Sequence, residues 1–303
     1  MKNINSVRIK FISKKFSFRL MIYALLTGIG VVYLYPILYM IVNSFKSLPD
    51  LVNPTVEWIP SGIYFENYAK ALTVLDYGSS LLNSIFIVSV STVFQTLSCA
   101  LAGYSLARFN IPLKKLWMVL IVLTFLIPAQ VIMIPKFAMF SEYGLIGTPL
   151  SIFLPAAFGQ GVNSSIFILI FYQFFISYPK SFDEAAKIDG AGNLKIFLKI
   201  AVPLCVPAII VSLLFSFIWF WNETSMTGLL LGNNFRTLPM KLQSFVEEFN
   251  RTYVSGTASG MNRINEGIQL AATLLVIAPL LVLYLGLQKF FIEGIESVGL
   301  TGE

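Results

Sequence analysis

Five stretches of this chain run for twenty residues or more without one Asp, Glu, Lys or Arg: Leu20–Phe45, Tyr77–Ala107, Leu116–Pro135, Ile200–Asn222 and Gly267–Gln288. A helix needs about 20 apolar residues to cross the hydrocarbon core of a bilayer, so each stretch holds one crossing. A charged residue closes every one of them at both ends. The composition agrees, with 56% hydrophobic residues against 12% charged, about half the charge of a soluble domain. The expectation is an all-α membrane protein with the bilayer as its first partner.

A sixth charge-free stretch, Tyr143–Pro179, has 37 residues. Gly144, Gly147, Pro149, Pro155, Gly159 and Gly161 interrupt its first half, leaving Val162–Tyr178 as an unbroken run. The segment Thr148–Phe158 is too short to cross and is expected at the interface or packed on other helices. Pro128 and Pro135 soften the end of the third helix. Six spans result, at about 20–45, 80–107, 116–135, 162–178, 200–222 and 267–288.

Orientation follows from Lys and Arg, which are retained on cytoplasmic flanks. Residues 1–19 carry Lys2, Arg8, Lys10, Lys14, Lys15 and Arg19 and no acid, so this segment is expected in the cytoplasm. Arg108, Lys114 and Lys115 mark the next inside loop, and 180–199 adds four basic residues. Six crossings return the tail 289–303 to the cytoplasm and place 223–266 outside, with 20–288 forming the transmembrane domain. The net charge of +6 then reflects topology, with no call on nucleic acid. The first span is expected to be retained rather than cleaved, since 26 charge-free residues exceed the core of a signal peptide.

The chain has no histidine, which removes the commonest general base and the usual catalytic zinc ligand. Cys99 and Cys205 both lie in apolar stretches and read as small buried residues. No G-x-x-x-x-G-K-[ST] phosphate loop occurs. Nothing points to an enzyme.

One inside loop is unlike a featureless connector. After Pro179, Ser181 and Glu184 have capping-box spacing, so a short helix is expected from Phe182, with Asp183 and Glu184 at its positive end. Gly190 and Gly192 stop it, and Asn193 caps a second arm carrying Ile196, Phe197 and Ile200 toward the fifth span. Ala185 and Ala186 beside Phe182 and Ile188 make a small-residue knob suited to docking. An amphipathic helix lying on the lipid interface explains the local pattern equally well.

The order of residues separates the two. Glu184, Ala185, Ala186, Asp189, Gly190 and Ala191, followed by Phe197, Ile200 and Pro203, resemble the EAA loop of ABC importer permeases. Further residues resemble the carbohydrate, maltose-transporter-like branch: Trp58 to Pro60, Glu66 to Tyr68, Asn83 and Ser84, Ala107 to Phe109, Ile127 and Pro128. Trp221 to Glu223, Arg236 to Pro239 and Leu287 to Phe291 continue it. The chain departs from the family pattern at Asn265 to Gly267, where an aromatic residue is often found.

The resemblance implies a type I ABC importer transmembrane-domain fold with both termini cytoplasmic, multi-pass in the bacterial cytoplasmic (inner) membrane. It implies import of a carbohydrate, expected to be an oligosaccharide, by ATP-driven alternating access. Glu184, Ala185, Ala186, Asp189, Gly190 and Ala191 become the residues that couple to an ATPase. Expected partners are a second homologous permease subunit, a dimer of cytoplasmic ATPase subunits and an extracytoplasmic sugar-binding protein. This chain then binds no cofactor, ATP and Mg being held by the ATPase. The alternatives are a non-sugar solute carried by the same class of importer, or a stand-alone secondary transporter, which would need mid-span ionisable groups.

Polar groups in spans are functional candidates because burying them in lipid is costly. Trp221, Asn222 and Glu223 at the outer end of the fifth span are the substrate-pathway candidates, with Trp219 and Tyr104 as further aromatic faces. Asn222 and Glu223 equally suit a helix cap, and the loop 223–266, with turn signals at Gly232 to Asn234 and Gly256 to Gly260, suits either a binding-protein contact or a solvated connector.

Overall fold

The computed structural model describes residues 2–254 and 264–299, with side chains over 18–253 and 264–289. The turn signals at Gly256 to Gly260 lie outside the described residues. The order is α1 (Lys2–Ser44), α2 (Leu48–Val52), α3 (Glu66–Leu75), α4 (Tyr77–Arg108), α5 (Lys114–Leu126), α6 (Ala129–Glu142), α7 (Leu150–Ala157) and α8 (Ser164–Ser177). Then come α9 (Ser181–Ile188), α10 (Asn193–Ile196), a π turn (Phe197–Ala201), α11 (Val202–Leu204) and α12 (Val206–Asn222). The chain continues through α13 (Ser225–Leu231), α14 (Leu238–Gln243), α15 (Phe245–Phe249), a second π turn (Asn250–Val254) and α16 (Glu266–Gly299). Among the described residues there is no strand.

Three segments are long and apolar enough to cross a membrane unaided: Phe18–Ser44, Tyr77–Arg108 and Glu266–Lys289. Three more candidates are bent pairs: α5 with α6 at 98°, α8 with α9 at 73°, and α10–α11 with α12 at 79°. Proline explains each bend. Ile127 and Tyr178 precede Pro128 and Pro179 and are held extended, at φ −77, ψ 119 and φ −80, ψ 146, because the proline ring crowds the helical region for the residue before it. Pro203 and Pro207, four apart, cannot donate to the carbonyls of Lys199 and Pro203, and the ladder fails at Cys205 between them.

These bends correct three expected spans. The third is two helices, with its break at Pro128 and its end at Glu142 rather than a softened end near Pro135, which α6 accommodates. The fourth is shorter than 162–178 because Asn163 takes a left-handed conformation at φ 52 and Pro179 closes the other end. The fifth begins straight only at Val206.

The chain divides into two compact units, residues 1–73 with 249–275 and residues 74–248 with 276–303. In the first, buried polar groups tie the segment after α1. Lys46 Nζ donates to the carbonyls of Val56 and Glu57, both at 2.8 Å. Asp50 accepts from the Ser61 amide and hydroxyl, and Asn67 Nδ2 donates to the Ser44 and Lys46 carbonyls at 2.9 Å. Gly267 is required here, since a Cβ would lie 2.7 Å from Asn67 Nδ2. Asn265 caps the Ile268 amide at 3.0 Å.

In the second unit α4 is the hub. It packs most extensively on α8, then on α12 and α7. Its buried positions recur at three- and four-residue spacing and are mostly small, among them Ser84, Ser91, Ala100 and Gly103, which lets helices approach closely in lipid. At Gly103 a Cβ would stand 2.6 Å from Phe171 Cβ and 2.8 Å from the Tyr172 amide nitrogen. Phe167, Phe171 and Phe175 of α8 fill the core with Cys99, Tyr104, Cys205 and Ala208, and both cysteines are free and buried. The expected packing of Thr148–Phe158 on other helices is borne out by α7, whose Ser151, Ile152, Phe153, Pro155 and Ala156 are buried.

The segment after α12 is no solvated connector. Leu230, Leu231 and Leu238 are fully buried. The Leu238 amide donates to Ser84 Oγ at 2.8 Å, and Arg236 pairs with Glu248 at 2.5 Å.

Gly103→Ala is expected to destabilise the subunit by about 1–3 kcal/mol, the usual cost of overpacking. Gly286→Ala, where a Cβ meets nothing within 4 Å, serves as the neutral control. Thermal unfolding of the two purified variants in detergent checks this.

Candidate functional site

Residues 178–205 form the helical elbow that the loop sequence foretold. The start of α9 differs in detail. The amides of Phe182, Asp183 and Glu184 bond to the carbonyls of Pro179 and Lys180, so no free amide is left for the Ser181 hydroxyl. The helix begins at Ser181 with Lys180 as N-cap and no side-chain cap. The capping box is therefore not formed. Its end is as expected: Gly190 sits at φ +75, its amide bonds to Lys187 O at 3.0 Å, and the Ala191 amide bonds to Ala186 O at 2.9 Å. This is a Schellman termination, which a side chain at that φ would strain. Gly192, at φ −71 and ψ 160, is the N-cap of α10 and Asn193 its first residue, so Asn193 does not cap.

The elbow is bolted to the unit beneath it through Asp183, the one buried residue of α9. The Tyr178 hydroxyl donates to Asp183 Oδ1 at 2.8 Å, and Arg108 Nε lies 3.4 Å from Asp183 Oδ2. Arg108 Nη2 donates to the Tyr178 carbonyl at 2.7 Å, with its guanidinium 3.6 Å from the centre of the Tyr178 ring. One turn earlier on α4, Tyr104 packs on Phe175 of α8 and on Phe197 of the π turn, at 5.3 and 5.0 Å between ring centres. The ends of α4 and α8 and both arms of the elbow thus meet in one clamp.

Outside the clamp, Glu184, Ala185, Asp189 and Gly190 are exposed and Ala186 and Ala191 half-buried. All six expected coupling residues stand together on one short arm and its terminating turn. Phe182 and Ile188 flank them, the latter 87% exposed. The sequence reading had Arg108 as a topological charge and within the Ala107 to Phe109 resemblance, and Tyr178 as a span end, and missed the structural role of both. Their signal was a basic residue closing one span and an acid opening the following inside loop.

A second feature lies at the other end of α12, which at 17 residues is about 25 Å long. The bend of α5 and α6, together with α7, α12 and α13, lines a cavity of about 320 Å³. Thr124, Lys136, Gln160, Asn163 and Glu223 are among its polar lining, with Phe125 and Phe220 as aromatic walls. Gly161 is needed at its back, since a Cβ would fall 2.0 Å from Gln95 Oε1, while Gln95 Nε2 donates to Val162 O at 2.9 Å.

Of the three expected pathway residues only Glu223 lines this cavity. Trp221 is 2% exposed and stacks on Phe217, and Asn222 bonds to Ile218 O of its own helix. Trp219 packs on Phe167 and Phe215, and Tyr104 belongs to the clamp. Glu223 also caps α13: Oε1 accepts from the Met226 amide, and Oε2 from the Thr227 amide and hydroxyl, at 2.6–2.8 Å.

The family described as binding-protein-dependent transport system inner membrane component matches residues 99–296, which contain both the elbow and the cavity. The chain is 30% identical to the osmoprotective compounds uptake permease protein GgtD of Synechocystis sp., over 91% of this chain and 90% of that one. It is 30% identical to the melibiose/raffinose/stachyose import permease protein MelC of Bacillus subtilis, over 88% and 91%. A crystal structure of a bacterial ABC transporter involved in import of the acidic polysaccharide alginate contains a chain that superposes with a TM-score of 0.71 at 25% identity. That match covers 89% of this chain and 95% of the other.

The clamp predicts a coupled pair. The Arg108 and Asp183 side chains are 4% and 10% exposed, so Arg108→Ala strands a buried carboxylate and is expected to cost about 3–5 kcal/mol. Asp183→Asn, which retains an acceptor for Tyr178, is expected to cost less, and adding it to Arg108→Ala to restore part of the loss. Thermal unfolding of the three variants checks the cycle; strictly additive losses count against the clamp.

Proposed function

Because the chain belongs to the family of binding-protein-dependent transport system inner membrane components, we propose that it is a permease subunit of an ABC importer that carries an oligosaccharide across a bacterial cytoplasmic membrane. The saccharide assignment is supported by the import permease for melibiose, raffinose and stachyose and by the alginate importer. A small non-sugar solute is the second reading, favoured by the similarity to the osmoprotective compounds permease.

Six crossings with both termini in the cytoplasm are supported by three long apolar helices and three bent pairs that pass the same length and hydropathy test, α8 and α12 being the crossing members of the two pairs that include the elbow, and by the distribution of basic residues. In that topology the transmembrane domain is 20–288, flanked by the basic segment 1–19 and the tail 289–303. The elbow within 180–199 is cytoplasmic, and 223–266 is outside, within reach of a sugar-binding protein. A second permease subunit and two ATPase subunits complete the assembly. With no phosphate loop in this chain, ATP and Mg belong to the ATPase, and the permease itself performs no catalysis.

The observation that carries the reading is the elbow: an outward arm of Glu184, Ala185, Ala186, Asp189, Gly190 and Ala191, ended rigidly at Gly190 and held by Arg108 through Asp183. When ATPase subunits close on that arm, it moves as a body. The clamp passes the displacement to α4 and α8, and the π turn and α11 pass it to α12. The far end of α12 carries Phe220 and Glu223 into the cavity wall, so one stiff element links the motor to the solute path. Such linkage is what alternating access requires.

Glu184→Lys is expected to leave assembly and basal ATP hydrolysis intact while uptake and its stimulation by the binding protein fall about tenfold or more. Gly190→Pro is expected to do the same, because it removes the amide that bonds Lys187 O and cannot adopt φ +75. Uptake and ATPase assays on the importer in proteoliposomes read both. Normal uptake in both variants removes the coupling assignment.

A further inference from the structure

The cavity beside α12 has an imbalance that its role as a passage does not explain. Its two ionisable residues are Lys136 and Glu223. The sequence reading ended the third span at Pro135 and left Lys136 as a loop charge. The structure continues α6 to Glu142 and lines the cavity with Lys136. An ionisable group among spanning helices normally finds a partner or serves a ligand.

Glu223 has its partners. Both carboxylate oxygens are occupied by the Met226 amide and by the Thr227 amide and hydroxyl, and the positive end of α13 offsets its charge. Lys136 has none comparable. Among the described residues its ammonium makes no hydrogen bond or ion pair, its nearest aromatic contact being the Phe140 ring, 5.9 Å from the centroid. The two opposite charges act on each other across the cavity, but the group whose hydrogen-bonding capacity is unused is the Lys136 ammonium. Around it stand groups suited to sugar hydroxyls, Gln160, Asn163 and Thr124, with Phe220 as an apolar face. The volume of about 320 Å³ falls at the small end of ligand pockets, about 300–1,000 Å³.

We propose that this cavity is a subsite for an anionic glycosyl unit, in which Lys136 binds the acidic group and the neighbouring amides and hydroxyl bind the ring hydroxyls. It rests on the importer reading and narrows its substrate to saccharides bearing a carboxylate. A charge-assisted hydrogen bond discriminates such a unit from its neutral counterpart. Lysine suits a solute in transit, since a flexible point charge holds an anion without the fixed fork of arginine.

The test uses the complete importer with its binding protein in proteoliposomes, supplied in turn with trigalacturonate and maltotriose, comparing wild type with Lys136→Met and Lys136→Arg. Lys136→Met is expected to lower trigalacturonate uptake at least about tenfold, with maltotriose uptake changed less than about twofold and Lys136→Arg retaining most of the trigalacturonate uptake. The pattern should be the same in phosphatidylcholine vesicles and in vesicles containing phosphatidylglycerol. An equal loss of both trisaccharides, or an effect of Lys136→Met that appears only with phosphatidylglycerol, overturns the proposal, the latter by assigning Lys136 to a lipid headgroup. Wild-type uptake of maltotriose without trigalacturonate overturns it too and leaves the importer reading standing. Uptake of neither, by an importer whose ATPase is intact, overturns the saccharide reading on which it depends.

Discussion

A helix can stop only where something satisfies the amides and carbonyls it leaves behind. At three bends this chain stops a helix beside proline, and its functional features lie at those stops. At Tyr178, where Pro179 ends the helix, the last carbonyl accepts from Arg108 Nη2 at 2.7 Å, so the residue that satisfies the helix end also fixes the elbow. At Pro128 the carbonyl accepts from the Val131 amide at 3.0 Å as α6 begins, and the bend opens the cavity. At Cys205 the chain passes from the elbow into α12, with the Cys205 amide bonding back to Ala201 O and its carbonyl accepting from Ile209.

The close contact of α4 with α8 makes this arrangement stiff. Gly103 allows the two backbones to meet, which brings Arg108 at the end of α4 to the end of α8 where α9 turns away. A buried ion pair contributes little net stability against a well-packed apolar substitute, because desolvation offsets the attraction. Its value here is positional. A shift of α9 relative to α4 would separate Arg108 from Asp183 and expose both to an apolar setting, so the two move together.

Much of this was legible in the residues, and what was not has identifiable causes. Hydropathy located the three long apolar helices because charge is excluded from lipid regardless of fold. Gly190 was legible because only a left-handed turn explains a glycine after a short amphipathic helix. The capping box at Ser181 and Glu184 was misread: the spacing was right, but backbone carbonyls of Pro179 and Lys180 took the amides first. The bend at Cys205 had a signal in Pro203 and Pro207, masked by an apolar run that reads as continuous. Trp221 and Asn222 were chosen for residue type at a span end, whereas the facing direction that places Glu223 alone in the cavity depends on where α12 starts.

The basic residues at and near the ends of the apolar segments prove to be of two kinds once their partners are known. Arg108, Lys46 and Arg236 each close local structure, through Asp183, through the Val56 and Glu57 carbonyls, and through Glu248. Their cost of burial is offset inside the chain. Lys136 differs from these three: it lines a cavity with its donors unpaired, and Glu223 acts on it through charge alone. A fold that neutralises a buried cation with its own groups has used that charge for structure. A fold that leaves a half-buried ammonium facing a cavity with its donors unpaired has left them to whatever enters, and a solute that must bind on entry and leave afterwards is suited to an interaction the protein does not complete by itself.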